Sequence, residues 1–236
     1  TPLNELTKAI NRQNEAFLGF NLKLIEKSFS DCLTDKKETK KNLENDLSLD
    51  ERIHDIYLKI RDHFIATPSG DCVLIGQSKG NPINMVANLG SDGKLGFALF
   101  LISYSKTCKD SSVSEEALSY ANILIQKVEN YVSRVEKYQQ IGDCEGLSGS
   151  LKCALLIKRI TNSNITDYLI EILCKRISEL DMEYVIGADK YYGLSGLISV
   201  YCRFDEIPER KQMVTKFANR LLELKTVKYK DLVLWD

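Results

Sequence analysis

The sequence is poor in the residues that mark metal and redox sites. Among 236 residues there are two histidines, His54 and His63, which lie nine positions apart. Two histidines at this spacing do not share a helix face well enough to hold a metal. The seven cysteines form no C-x-x-C pair, and their odd number and scattered positions are not typical of a disulfide framework. We therefore expect free thiols in a reducing, cytoplasmic protein.

The sequence also lacks an excess of charge and any long apolar run. Its net charge is −1 at pH 7, so nothing in the composition indicates a nucleic-acid partner. No apolar stretch approaches the roughly 18 residues of a membrane span, and the N-terminus has no signal-peptide pattern. The turn at residues 76–81 contains Lys79 but lacks the G-x-x-x-x-G-K-[ST] pattern of a phosphate loop, so we predict a plain hairpin there.

Three G-x-x-G pairs, each followed by an apolar run, are the most regular feature that the sequence does contain. The pairs are Gly93/Gly96, Gly146/Gly149 and Gly193/Gly196. Their first glycines recur at spacings of 53 and 47 residues. A period near 50 residues with one helical unit per period is typical of a repeat or toroid architecture.

Each pair is predicted to begin an apolar inner helix, which an amphipathic outer helix follows. The predicted inner helices are 96–105, 149–160 and 196–204, and the outer ones are 113–138, 165–180 and 208–224. Pro208 is predicted to occupy the first helical position of the last outer helix. Because the inner helices are apolar nearly all round and the outer ones have one apolar face, we predict two concentric layers.

The glycines suggest where a site would lie. Glycine permits sharp turns and close backbone approach where several helix ends meet, although it could serve packing alone. Helix N-termini that converge on one point would also present free N–H groups there. We therefore expect a site at this end of the inner layer, shaped by the six glycines of the three pairs.

The rest of the chain is predicted to join the repeats to a preceding region. Residues 3–29 and 49–66 have helical periodicity, and Ser48 or Asp50 could cap the second of these helices. Residues 34–48 are polar, and residues 72–75 and 83–86 resemble two short strands. We predict a helical segment at 1–66, a hairpin connector at 67–90 and three helix-pair repeats at 91–236.

The repeat motifs resemble a known family. Residues 91–101 are similar to the D-G-x-x-G-I-A-L-F-L segment in the first cyclase repeat of class II lanthipeptide synthetases, the LanM-type enzymes. Residues 146–156 resemble the second repeat of that domain, and residues 189–196 resemble the third. Arg12-Gln13 and residues 24–29 are similar to the stretch that joins the dehydratase and cyclase portions. Residues 72–75 stand where the family usually carries a tryptophan.

The resemblance implies a mainly α fold, an α/α toroid of seven helix pairs. This chain would supply three of them and be incomplete at its C-terminus. It also implies that a peptide cysteine adds to dehydroalanine or dehydrobutyrine, closing a thioether ring in a lanthipeptide precursor. ATP and Mg²⁺ would serve dehydration of Ser and Thr elsewhere in the same synthetase. Zinc would be held by two cysteines and a histidine of later repeats. Since the sequence contains no Cys-His dipeptide, we expect no metal ligand in this chain and no activity from it alone.

One residue matches an active-site position of the family. Asp189 precedes Gly193 by four residues, and the resemblance implies a buried carboxylate near the zinc end that helps proton transfer or positioning. Capping of an inner helix is the alternative role, and it is the role that we expect for Asp92. Two other functions stay open. One is a non-catalytic helical-repeat module that binds peptides, and the other is an α/α-barrel carbohydrate enzyme that uses Asp92, Asp143 and Asp189.

Overall fold

The computed structural model describes residues 48–66, 72–78, 81–84, 88–134, 141–144, 146–224, 227–229 and 232–234. The predicted helix at 3–29 and most of the polar stretch at 34–48 lie outside these ranges. The chain divides into two compact units, residues 1–87 and 88–236, whereas the predicted boundaries after residues 66 and 90 stay predictions. The described part is mainly helical, as predicted, and none of its helices is both long and apolar enough to cross a bilayer.

The first unit contains helix α1, Leu49–His63, whose start was predicted correctly. Ser48 caps it with a reciprocal pair of hydrogen bonds. The Ser48 hydroxyl oxygen accepts from the Glu51 N–H at 3.3 Å, while the Glu51 carboxylate accepts from the Ser48 N–H at 2.7 Å. This capping box satisfies two backbone donors that the first turn leaves without a partner inside the helix.

Helix α1 ends earlier than predicted, because the chain turns into a strand. Residues Phe64–Ala66 form β1, which pairs antiparallel with β2, Cys72–Ser78. The predicted continuation of the helix to residue 66 is therefore wrong. Phe64 and Ile65 suit a strand as well as a helix, and the neighbouring strand decides between the two.

The predicted hairpin is confirmed, with longer and shifted strands. Strand β2 pairs antiparallel with β3, Asn81–Asn84, in a register that places Ser78 opposite Asn81. Two residues therefore connect the strands, the usual length of a tight hairpin loop. Together β1, β2 and β3 form a three-stranded sheet in that order.

The described residues of the second unit form six α-helices that alternate as predicted, with bounds that differ from the prediction by a few residues. They are α2 (Lys94–Thr107), α3 (Ser111–Arg134), α4 (Leu147–Thr161), α5 (Asp167–Ser178), α6 (Leu194–Arg203) and α7 (Arg210–Glu223). The role predicted for Pro208 is wrong. Helix α7 begins at Arg210, because Glu209 adopts a left-handed conformation with φ 52° and separates the proline from the helix.

The helices of the second unit form two layers. Consecutive helices pack as pairs, α2 on α3, α4 on α5 and α6 on α7, and the inner helices α2, α4 and α6 also contact one another in that order. Helix α4 buries nine of its fifteen residues, whereas α5 buries only the stripe Leu169, Leu173 and Ile177. An inner helix buried on most sides and an outer helix with one buried stripe are the predicted pattern.

One aromatic residue beside the buried stripe of α3 is exposed. Tyr131 is 50% exposed, whereas Val128 and Val132 on either side of it are buried. Tyr131 lies at the edge of the stripe, where half of its surface stays covered.

Basic side chains tie each outer helix to the one before it. Arg176 on α5 donates to the carbonyl oxygens of Val132 and Ser133 near the end of α3, at 3.3 and 3.2 Å. Lys216 on α7 donates to the carbonyl oxygen of Ser178, the last residue of α5, at 3.0 Å. The C-terminal end of a helix leaves carbonyl groups unpaired and carries partial negative charge, so a cation there is stabilising.

A second hairpin follows α7 and was not predicted. Strands β4, Val227–Tyr229, and β5, Leu232–Leu234, pair antiparallel, with Val227 opposite Leu234. β-branched and aromatic residues on either side of a two-residue connection were the available signal in the sequence.

Candidate functional site

The three inner helices begin in the same way. In each, the first glycine of the G-x-x-G pair is the N-cap residue, and the second is the third residue of the helix. None of these N-caps has a side-chain hydrogen bond, since glycine has no side chain. The repeat found in the sequence therefore corresponds to one local structure used three times.

Each inner helix starts two residues before its predicted start, so that part of the prediction is wrong. The predicted first residues were the second glycines of the pairs, Gly96, Gly149 and Gly196. The observed first residues are Lys94, Leu147 and Leu194. The second glycine of each pair therefore lies inside the first turn of its helix, and the residue after the first glycine is already helical.

Close backbone approach explains why the second position is glycine. A Cβ atom placed on Gly96 would lie 2.0 Å from the carbonyl oxygen of Ser91. One placed on Gly149 would lie 2.1 Å from the carbonyl oxygen of Asp143. Both distances are far shorter than a van der Waals contact, and both clashes are with backbone, which cannot move aside as a side chain can.

Gly196 is pressed against two stretches of backbone at once. A Cβ atom placed there would lie 2.4 Å from the carbonyl oxygen of Lys190 and 2.9 Å from the backbone nitrogen of Asp143. Gly196 is also buried within α6. The contacts of Gly196 are thus those of tight packing, the alternative role that the sequence left open for these glycines. That the six glycines also shape a site stays a prediction.

The expectation of free N–H groups at these helix starts is wrong. At α2, the N–H groups of residues 94–96 donate to the carbonyl oxygens of residues 88–90 at 2.9 to 3.1 Å. At α4, Ser148 and Gly149 donate to residues 141 and 142 at 3.1 and 3.0 Å. At α6, Leu194 donates to residue 187 at 2.9 Å. Because glycine offers no capping side chain, the preceding loop caps each helix with its own carbonyl groups.

These loops are bonded to one another. We name them loop 1 (residues 88–93), loop 2 (141–146, of which 145 is not described) and loop 3 (187–193). The Ser91 hydroxyl donates to the Asp143 carbonyl oxygen at 2.7 Å, which joins loop 1 to loop 2. The N–H groups of Asp143 and Cys144 donate to the carbonyl oxygens of Lys190 and Tyr191 at 3.1 and 3.3 Å, which joins loop 2 to loop 3. The three inner helices therefore start side by side.

An ion pair lies in the middle of this row of loops. Asp143 Oδ1 is 2.5 Å from Lys152 Nζ, and the two side chains are 14% and 21% exposed. Limited contact with water strengthens such a charge-assisted hydrogen bond. Sequence reasoning did not select Lys152, although a single lysine within the apolar stretch 150–156 was a usable signal.

Cys153, the neighbour of Lys152, is a structural thiol. It is 1% exposed, and burial raises its pKa from 9.0 to about 12, an effect that the nearby Lys152 ammonium opposes. A thiol held in its neutral form is neither a nucleophile nor a metal ligand at neutral pH. All cysteines whose side chains are described are free thiols, in line with the composition.

Asp189 lies in loop 3, but its carboxylate is exposed, so the buried carboxylate implied by the resemblance is not found. Asp189 Oδ1 accepts hydrogen bonds from the N–H groups of Tyr191 and Tyr192 at 2.7 and 2.9 Å. The side chain therefore stabilises the turn that leads into α6, while Gly193 is the N-cap of the helix itself.

Asp92 does not cap a helix either. The N-cap of α2 is Gly93, and the exposed Asp92 carboxylate accepts from Asn88 Nδ2 at 3.0 Å. The predicted capping role of Asp92 is therefore wrong. The arrangement also weakens the case for a carbohydrate enzyme, since Asp143 is in an ion pair and Asp189 holds a turn.

The resemblance places the zinc ligands in later repeats and assigns none of them to a residue of this chain. Nowhere in the described ranges do three His, Cys, Asp or Glu side chains come together in a way that could hold a metal ion. We therefore assign no step of any reaction in this chain to zinc.

No family model matches the chain, and neither a curated protein nor a solved structure is significantly similar to it.

Proposed function

We propose that residues 88–236 are part of the α/α-toroid cyclase domain of a lanthionine synthetase. The observation that carries the proposal is the row of hydrogen-bonded loops from which three inner helices start. A closed ring of such helix pairs would gather all inner-helix starts around one site, as the family resemblance implies. The same proposal places dehydration with ATP and Mg²⁺ in another part of a cytoplasmic enzyme.

The proposed reaction joins a cysteine sulfur to the β-carbon of the alkene in a dehydrated Ser or Thr. The thiol loses its proton, the C–S bond forms, and the α-carbon then takes up a proton. A carboxylate beside the site could move one of these protons or hold the peptide in place. Asp189 is our candidate, since its Oδ2 makes no hydrogen bond to any described residue and lies next to the Oδ1 that is already held.

The variant Asp189→Asn removes the negative charge of the side chain but keeps its hydrogen bonds to the turn. Asparagine keeps an oxygen that can accept the two backbone N–H bonds, so we expect the turn and the melting temperature to be unchanged. Loss of the charge is expected to slow ring closure about 10²-fold, the usual size of an acid–base contribution. The measurement uses the full-length protein and a dehydrated, cysteine-containing peptide, and it follows the disappearance of the free thiol by alkylation and mass spectrometry.

Asp110→Asn is the matched control. Asp110 is exposed too, and its Oδ1 accepts backbone N–H bonds from Ser112 and Val113 at 2.9 and 3.3 Å at the start of α3. We expect this variant to close rings at the wild-type rate. If Asp189→Asn also does so, the catalytic assignment is wrong. If the wild-type protein forms no thioether, the cyclase proposal fails and the non-catalytic peptide-binding module replaces it.

A further inference from the structure

The segment that leads into the third inner helix exposes an unusual amount of apolar surface. Within residues 181–193, Tyr184 is 82% exposed, Ile186 77%, Tyr191 61% and Tyr192 62%. Single exposed apolar side chains are common on soluble proteins, but four in nine residues are not. Such a patch indicates a surface that another molecule covers.

The first part of this segment is held in place by its backbone. Residues 182–184 form a turn of 3₁₀ helix capped by the Asp181 carboxylate. From α7, Arg220 donates to the carbonyl oxygens of Glu183 and Val185 at 3.1 and 3.2 Å. Tyr184 and Ile186 therefore project from a backbone that is fixed on both sides of them, so little conformational entropy is left to lose on binding.

The second part of the segment, residues 187–193, folds back so that its two ends meet. A Cβ atom placed on Gly187 would lie 3.2 Å from the Cα atom of Gly193, so the two ends of loop 3 are in contact. Ile186 and Tyr192 each precede one of these glycines, and they therefore leave the backbone at adjoining points. Tyr184 is two residues from Ile186, within about 7 Å along an extended chain. The backbone thus brings the attachment points of these three exposed apolar side chains close together, and we call residues 181–193 with their exposed side chains the patch.

Carboxylates outnumber basic side chains around the patch. Residues 181–193 contain three carboxylates, of Asp181, Glu183 and Asp189, and one lysine, Lys190. Arg220, which bonds to carbonyl groups of this segment, is itself paired with the Glu223 carboxylate at 3.1 Å. None of the three carboxylates forms an ion pair with a basic side chain in the described ranges. Exposed tyrosine rings beside such carboxylates can bind a peptide that contains both basic and apolar side chains. The basic side chains would interact with the rings through cation–π contacts and with the carboxylates through charge. The carboxylates disfavour nucleic acids and anionic lipid surfaces.

We propose that residues 181–193 are a docking surface for an extended peptide in which lysine or arginine residues alternate with apolar ones. The apolar side chains would lie on the tyrosines and Ile186, and the cations would lie beside the carboxylates. The proposal goes beyond ring closure, since it requires neither cysteine nor a dehydrated residue in the peptide.

The test measures fluorescence anisotropy of a labelled peptide of alternating lysine and leucine with the full-length protein. We expect Tyr184→Ser combined with Tyr192→Ser to raise the Kd about tenfold. Glu183→Lys, which reverses a charge but keeps both rings, is expected to raise the Kd and to reduce its dependence on salt. A peptide with glutamate in place of each lysine is expected to bind at least about tenfold more weakly.

Exposed tyrosines elsewhere provide matched controls. Tyr131 on α3 and Tyr168 on α5 are 50% and 57% exposed, and we expect Tyr131→Ser and Tyr168→Ser to leave the Kd within about twofold. Three outcomes would overturn the proposal. They are no binding of the basic peptide, equal binding of the acidic one, or an equal loss of affinity in the control variants. Since the probe peptide contains no cysteine, none of these outcomes depends on whether the protein closes thioether rings.

Discussion

Gly149 is a position at which the fold has no room for any side chain. The position is the third residue of α4, and it faces the backbone of loop 2 without room for a methyl group. A larger residue must push the loop away from the helix start and disturb the carbonyl groups that cap it.

We therefore expect Gly149→Ala to lower the free energy of unfolding by about 2–3 kcal/mol, the range for overpacking in a rigid environment. Gly187→Ala is the comparison, because its nearest obstacle is at 3.2 Å and a small shift relieves it. Chemical denaturation of both variants measures the difference. Equal stabilities of the two variants would contradict the steric explanation.

Some residues of the site could be predicted from the sequence and others could not. The glycine pairs were found because their spacing repeats along the chain. The exposure of Asp189 and the Asp143–Lys152 ion pair depend on how three loops, about 50 residues apart in sequence, fold against one another. No local pattern contains that information. The expectation of free N–H groups failed for the same reason, because the groups that cap the helices come from the loops.

At the scale of the helices, the hydrogen bonds between outer helices allow a direct test of how much they stabilise the second unit. The Arg176 side chain is 27% exposed and bonds to two carbonyl groups at the end of α3, whereas Lys175 beside it is 70% exposed.

Arg176→Met keeps much of the apolar stem and removes both hydrogen bonds. We expect it to destabilise the second unit by about 1–2 kcal/mol, which allows for partial exposure of the charge. Lys175→Met should change stability by no more than about 0.5 kcal/mol, as exposed substitutions usually do. Thermal and denaturant unfolding measure both variants. A Lys175 variant as unstable as the Arg176 variant would show that the ties contribute nothing specific.

Helices were predicted better than strands for a physical reason. A helix completes its hydrogen bonds within one segment, so the apolar period of residues 94–223 was enough to find six of them and to sort them into two layers. Strands such as β1 and β5 exist because a partner strand lies beside them, and three residues of sequence carry little of that information. The start of α7 was missed because a left-handed residue, Glu209, interrupts the chain after the proline.

For the molecule as a whole, two shielded thiols and one tyrosine hydroxyl limit the stability of the fold at high pH. Burial raises the pKa of Cys153 to about 12 and that of Cys174 to about 11, from 9.0. It also raises the pKa of the Tyr201 hydroxyl above its usual value of 10.0. Each of these groups keeps its proton in the folded chain at a pH at which the unfolded chain has lost it.

These three groups should therefore make stability fall above about pH 9, since the unfolded state binds fewer protons there than the folded state. Each group contributes a slope of up to about 1.4 kcal/mol per pH unit between its unfolded and folded pKa. Denaturation under reducing conditions at several values between pH 8 and about 10.5 measures the slope. Cys153→Ala is expected to make the slope shallower. If it leaves the slope unchanged, this thiol does not contribute to the alkaline loss.

Two arginine side chains of the outer helices form hydrogen bonds that share a direction along the chain. Arg176 and Arg220 each follow a buried residue, Leu173 or Phe217, by three positions, and each reaches back to carbonyl groups earlier in the sequence. The equivalent position on α3, three residues after the buried Val128, is occupied by Tyr131, which has no positive charge. A ribosome delivers a protein from its N-terminus, so every new repeat leaves the exit tunnel with its binding partner already synthesised. The bonds of Arg176 and Arg220 can thus form as soon as their own helix has been made, without waiting for the segments that follow.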